Sequence, residues 1–136
     1  MVKIEIFYEG GLHCRLIHGP SGAVTSTDAP KDNQGKGESF SPTDLVAASL
    51  GSCMMTVMGI FAERHAINLK GASVEVLKEM IPAPDRRIGK LSVTLKMPAG
   101  IELSQRPALE KIALTCPVYK SLNPAIEIPA KFNYPD

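Results

Sequence analysis

From Leu45 to Phe61 almost every residue is apolar or small, within the stretch SPTDLVAASLGSCMMTVMGIF at 41–61. A helix written this way has no ordinary polar face and is expected to be buried on most of its sides. Its start is well marked. Ser41 is a good N-cap, Pro42 takes the first helical position, and Asp44 stands three residues past the cap as an acidic variant of the capping box. Its end is expected near Glu63, Arg64 and His65, where cationic side chains suit the carboxyl end of the helix dipole. Burying about six turns of such a helix needs a sheet on one side and something else on the other. A chain of 136 residues has little surface to spare for both tasks. A partner subunit is the natural supplier. Ala48, Ser52, Met55 and Gly59 recur at spacings of three and four, which would let another helix backbone approach closely or, with equal weight, fit beneath the chain's own sheet.

The remaining composition excludes several classes. With 44% hydrophobic and 21% charged residues the chain has the make-up of one ordinary globular domain, expected to span 1–136, rather than a disordered, collagenous or membrane-spanning chain. A formal net charge of +1, with no basic stripe or acidic tail, argues against nucleic acid or an anionic membrane as a partner. The opening MVKIEIFYEG alternates like a strand and lacks the charged start and apolar run of a signal peptide, so a cytoplasmic location is expected. Three cysteines, Cys14, Cys53 and Cys116, match no zinc spacing and no disulfide framework. Free or redox-active thiols remain.

Period-two alternation marks the strands. KIEIFY and LHCRLIHG flank Gly10-Gly11 as a hairpin, AVTSTD follows the turn GPSG, and the polar loop APKDNQGKGE leads to the helix. ASVEVLKEM and GKLSVTLKMP form a second hairpin across IPAPDRRI. SQRPALEKIAL reads as an amphipathic helix, TCPVYKSLN as a short helix opening after Cys116, and AIEIPAKFNY as a strand whose Pro129 places it at an edge or a bulge. Strands, helix, strands and then helices give an α+β domain rather than alternating βαβ units.

The thiols differ in setting. If Pro117 opens its helix, Cys116 is the N-cap, where unpaired N–H groups favour a thiolate. Cys53 lies about three turns into its own helix, beyond useful reach of the dipole, and would need a nearby cation. Ser49, Leu50, Thr56 and Val57, one turn away, could line a narrow apolar pocket with a polar mouth. On its own, Cys53 reads first as inert packing, since free cysteine is among the most buried residue types.

SPTDLVAASLGSCMM together with TCPVYKSL resembles the OsmC/Ohr family, the osmotically inducible and organic hydroperoxide resistance proteins, over essentially the whole chain. HGPSGAVTSTDAPKDNQGKGESFSPTDL resembles the same region of the OsmC-like branch. The resemblance implies antiparallel sheets wrapped around a long central buried helix in an intertwined homodimer. It also implies a thiol peroxidase acting on organic hydroperoxides, with Cys53 the peroxidatic and Cys116 the resolving thiol, no cofactor or metal, and an external dithiol as reductant. An apolar, methionine-containing wall would favour alkyl or lipid peroxides. A second function is open: a non-catalytic, stress-associated dimer whose interface pocket binds a small apolar or thiol-bearing ligand.

Two positions depart from the family pattern. The family's glutamate after the helix-initiating proline is Thr43 here, and Pro20 stands near the place of its arginine. Arg15 is the nearest substitute cation, with a solvated strand residue as its plainer reading. Glu38 and Asp44 are substitute carboxylates, though loop solubility and helix capping already account for them. His13, His18 and His65 show no ligand spacing and no obvious acid or base partner, so turn or surface roles are expected. Cys14 reads as packing. DNQGKGE lacks the full phosphate-binding pattern, which discounts a nucleotide.

Overall fold

The computed structural model describes residues 1–135. The chain forms two compact units, Met1–Val46 and Ala47–Asp136.

The first unit is built on an antiparallel sheet in the order β1-β2-β3, comprising β1 (Ile4–Tyr8), β2 (His13–His18) and β3 (Val24–Asp28). Tyr8 faces Cys14 across the first hairpin, and Cys14 faces Thr27 across the second. The β1–β2 turn needs left-handed backbone at Gly10 and Gly11, with φ of +84° and +61°, which glycine adopts without a Cβ clash. The loop after β3 is tied back to the sheet by Asp28 N–H donating to the Phe40 carbonyl at 3.1 Å. It delivers Ser41 to the start of α1 (Pro42–Arg64), which begins in this unit and continues through the next.

The expected cap is present. Asp44 N–H donates to Ser41 Oγ at 3.1 Å, and Ser41 N–H donates to Asp44 Oδ2 at 2.9 Å. A reciprocal box satisfies two backbone donors that the helix itself cannot pair. Replacing Asp44 with alanine removes one half of it, and the expected cost is about 1 kcal/mol of unfolding free energy by denaturant titration. An unchanged midpoint would dismiss the cap as the reason for Asp44.

In the second unit β4 (Ser73–Ile81) pairs antiparallel with β5 (Arg87–Lys96), and β6 (Ala130–Asn133) joins β5 at the edge in the order β4-β5-β6. The β5–β6 pairing is parallel, so this sheet is antiparallel only in part. The long connection through α2 (Arg106–Ala113) and α3 (Pro117–Ser121) makes that possible, since parallel neighbours cannot be joined by a tight turn. Pro129 sits just before β6 and gives only its carbonyl to the ladder, accepting from Val93 N–H at 2.9 Å. The edge placement expected from the proline holds, but the strand begins after it.

The central helix buries one stripe, Ala47, Leu50, Gly51, Met54, Met58 and Ala62, at spacings of three and four. Gly51 explains how α1 lies close on β4. A Cβ there would stand 3.0 Å from Val76 Cγ2 and 3.4 Å from Val74 Cγ1. Leu91, Val93 and Leu95 of β5 and Leu109 and Ala113 of α2 are buried as well. By length and composition α1 could cross a membrane, a test that a core helix packed on a sheet also passes. Its other face stays open within the chain: Ala48, Ser49, Ser52, Thr56 and Ile60 are exposed, and Met55 and Gly59 are half-buried.

Candidate functional site

Cys53 and Cys116 meet in the second unit. α1 supplies Cys53 from its middle, beside the buried Met54, and the turn after α2 supplies Cys116 as the N-cap of α3. Pro117 at the first helical position and the extended backbone of Cys116 are the local reasons, since proline fixes the helical φ and needs no hydrogen-bond acceptor there. Cys116 Sγ accepts the Tyr119 backbone N–H at 3.2 Å, and Cys53 lies near enough to act on its thiol electrostatically. The two thiols differ in access. Cys53 is half-buried, whereas Cys116 is 0% exposed.

The N-cap expectation for Cys116 holds as geometry and fails as acidity. Burial pushes its thiol up from the ordinary value, against the lowering effect of the Tyr119 and Val118 N–H groups, and the contact with Cys53 pushes it up further. Desolvation of the charged form outweighs the help of a helix only five residues long. Cys116 is therefore a thiol held protonated, not a preformed thiolate.

A cleft of about 240 Å³ lies along the same helices, lined by Val57, Ile60, Phe61, Arg64, Ile112 and Thr115 among others. Val57 is one turn beyond Cys53 on α1, and Thr115 immediately precedes Cys116. The walls are mainly apolar, and Arg64 adds a charge to the lining. This departs from the pocket expected from Ser49 and Thr56, which are exposed and line no wall of this cleft.

The three supporting residues belong to the first unit, where each has local contacts. Arg15 Nε donates to Glu9 Oε2 at 3.2 Å and its guanidinium lies 4.9 Å from the Phe7 ring centre. Asp44 closes the helix cap. Glu38 is exposed, and its backbone N–H donates to Asp28 Oδ2 at 3.2 Å. Of the departures from the family pattern, Thr43 Oγ1 lies 3.2 Å from Ser41 Oγ within the cap, and Pro20 lies in the turn between β2 and β3.

One expectation about histidine is overturned. His13 has a carboxylate partner, Asp28, with Nδ1 and Oδ1 2.6 Å apart, and Glu9 stands 3.6 Å from its Nε2. Spacing along the chain carries no signal of it because the pairing is across strands: His13 and Asp28 are directly opposed in the β2–β3 register. His18 and His65 do take local roles, with Ser21 Oγ at 2.6 Å and the Phe61 carbonyl at 2.8 Å. A second group missed from sequence is Tyr134, whose hydroxyl donates to Glu110 Oε2 at 2.9 Å while the Arg106 guanidinium sits 4.1 Å from its ring centre. Burial and the Glu110 carboxylate push that phenol well above its usual range. Among the described residues no His, Cys, Asp and Glu group is arranged to hold a metal ion.

The comparisons agree with this architecture. The family model described as OsmC-like protein matches residues 35–131. No curated protein matches the chain. A crystal structure of a candidate osmotic stress induced and detoxification response protein from Psychrobacter arcticus 273-4 is 40% identical, covering 98% of this chain and 96% of the other, with a TM-score of 0.92. An organic hydroperoxide resistance protein from Legionella pneumophila shares the fold at 18% identity and TM-score 0.74, over 98% of this chain and 96% of that one. Another candidate organic hydroperoxide resistance protein, from Vibrio cholerae with captopril in one of its active sites, does so at 20% identity and TM-score 0.72, over 96% and 91%. With both halves of the cysteine pair inside the matched span and a relative this similar over nearly its whole length, the chain belongs to the OsmC/Ohr family.

Proposed function

We propose that the chain is a thiol peroxidase that reduces organic hydroperoxides to alcohols through a two-cysteine cycle. The observation that carries this is the unequal pair: Cys53, half-buried and able to meet a small oxidant, near a fully buried Cys116 on whose thiol it acts. In the first step the Cys53 thiolate attacks the distal peroxide oxygen, the O–O bond breaks, and the alkoxide takes a proton and leaves as the alcohol. Cys53 is then a sulfenic acid. Cys116 attacks its sulfur, the S–S bond forms, and the hydroxyl leaves as water with the proton that Cys116 gives up. An external dithiol returns both sulfurs to thiols. The fold shared with proteins named for organic hydroperoxide resistance supports the substrate class, and the mainly apolar cleft lined by Val57, one turn from Cys53, and Thr115, next to Cys116 in the chain, supports an alkyl rather than an inorganic peroxide.

The full chain acts in this reading as one OsmC-like domain in a homodimer, the open face of α1 being covered by a second copy. The second reading, a stress-associated protein that binds a small apolar or thiol ligand without turnover, draws on the same cleft. Thiol counting separates the two. Reduced protein treated with cumene hydroperoxide is expected to lose two thiols per chain, with Cys53 and Cys116 joined in the peptide mass map. If all thiols survive peroxide concentrations that oxidise an established thiol peroxidase, the binding reading stands instead.

A further inference from the structure

We propose that Arg64 is a specificity-determining residue for the Cys53 thiol: it anchors the carboxylate of a hydroperoxide whose apolar body lies along α1, so the preferred substrate is amphiphilic. This rests on the peroxidase reading for its chemistry and selects one substrate type within the class that reading gives. The starting point is a row of residues. Cys53, Val57, Ile60 and Arg64 follow one another at spacings of four, three and four, and at 3.6 residues per turn they fall within about 60° of one another around the helix. The line of Ala48, Ser52, Met55 and Gly59 lies about 140° away, so the row is a separate face of α1. Val57, Ile60 and Arg64 all line the cleft of about 240 Å³, and Thr115, which precedes Cys116, lines it too.

The polar atoms of this lining are few, and their partners set Arg64 apart. Thr115 Oγ1 donates to the Ile112 carbonyl at 2.6 Å. His65 Nδ1 donates to the Phe61 carbonyl at 2.8 Å, and the two rings stack with centroids 3.9 Å apart, which makes a flat wall of the pair. The exposed Arg64 guanidinium makes no hydrogen bond or ion pair among the described residues. The helix dipole accounts for a cation in the last turn of α1. It does not account for a cation that lines an apolar cleft in the row of the thiol. A guanidinium presents a planar fork of donors that matches a carboxylate, and apolar walls with one charged group suit a ligand with an apolar body and an anionic end.

Cys53 and Arg64 are eleven residues apart, which is about 16 Å along the axis. Helical side chains lean toward the N-terminus, so the arginine reaches back and shortens the gap to about 10 Å. An extended chain of roughly eight or nine bonds spans it. In the reaction the distal oxygen goes to the Cys53 sulfur and the O–O bond breaks. The alcohol that leaves keeps its carboxylate, so product and substrate share the anchor.

The test uses the reduced full chain. Binding is measured first, by calorimetry and without peroxide, with decanoate and with decanamide. The parent should bind decanoate the more tightly. Arg64→Gln should weaken decanoate about fivefold and leave decanamide within about 1.5-fold, the size of effect open to a charge pair in contact with water. Turnover is measured second, with a dithiol, on ω-hydroperoxydecanoic acid and its methyl ester. Arg64→Gln should raise KM for the acid about fivefold with kcat held, and leave the ester and cumene hydroperoxide unchanged. The proposal is overturned if the parent binds decanoate no better than decanamide, or if Arg64→Gln leaves decanoate binding as it was, the result expected of a cation that serves only the helix dipole. A protein that passes the binding test but turns over no hydroperoxide keeps Arg64 as the anchor and removes the peroxidase reading. One that turns over cumene hydroperoxide but fails the binding test does the reverse.

Discussion

Cys53→Ser is expected to reduce hydroperoxide consumption by about a hundredfold or more, to the rate of the uncatalysed reaction, because a serine hydroxyl is neither ionised at neutral pH nor an acceptor of peroxide oxygen. The measurement is loss of cumene hydroperoxide in the presence of a dithiol. Cys14 and Cys116 should stay reduced in the variant: Cys116 is fully buried and held protonated, and a protonated thiol is a poor nucleophile. Cys116→Ser separates the steps. With the dithiol left out it should consume about one equivalent of peroxide per chain and end with a sulfenic acid on Cys53 that a dimedone probe traps, where the parent ends as the disulfide. A Cys53→Ser protein that consumes peroxide at the parent rate would move the chemistry to another thiol. A Cys116→Ser protein that cycles normally would remove Cys116 as the resolving partner while leaving Cys53 in place.

The course of the chain was legible wherever a local rule governs it. Ser41, Pro42 and Asp44 announced the helix, and the box they form is the one their spacing predicts. Pro117 placed Cys116 at an N-cap, and the Tyr119 N–H confirms it. What local rules could not see were distances across the fold. The contact of Cys53 with Cys116 joins the middle of one helix to the start of another, and only the family resemblance paired them in advance. His13 and Asp28 meet through strand register, which a scan for ligand spacing along the chain cannot detect. The acidity of Cys116 was misjudged for a related reason. Its backbone setting is local and was read correctly, but its burial is tertiary, and burial decides the direction. The parallel pairing of β6 likewise depends on where the chain returns after α3, not on the alternation of the strand itself.

The two faces of α1 make the other large effect. Leu50 is fully buried in the stripe that faces β4, one turn before Met54, and Leu50→Ala should cost about 2–5 kcal/mol through lost burial and the cavity left behind. For a domain of this size that lowers the melting temperature by roughly 10 °C. On the open face the physics differs. Ser52 is exposed within the chain, so Ser52→Arg should change the stability of an isolated chain by less than about 0.5 kcal/mol. In a homodimer whose central helices approach along Ala48, Ser52, Met55 and Gly59, the same arginine stands where a second backbone must come close. It should then reduce the light-scattering mass from two chains to one at micromolar concentration, with the far-ultraviolet circular dichroism of the parent retained. A parent protein that already scatters as one chain would dismiss the homodimer, and an Ser52→Arg protein that remains two chains would place its contact on another surface. Leu50→Ala reports on neither question, because its stripe is satisfied by the chain's own sheet. Comparing the two substitutions therefore separates what α1 does for the fold from what it does for assembly.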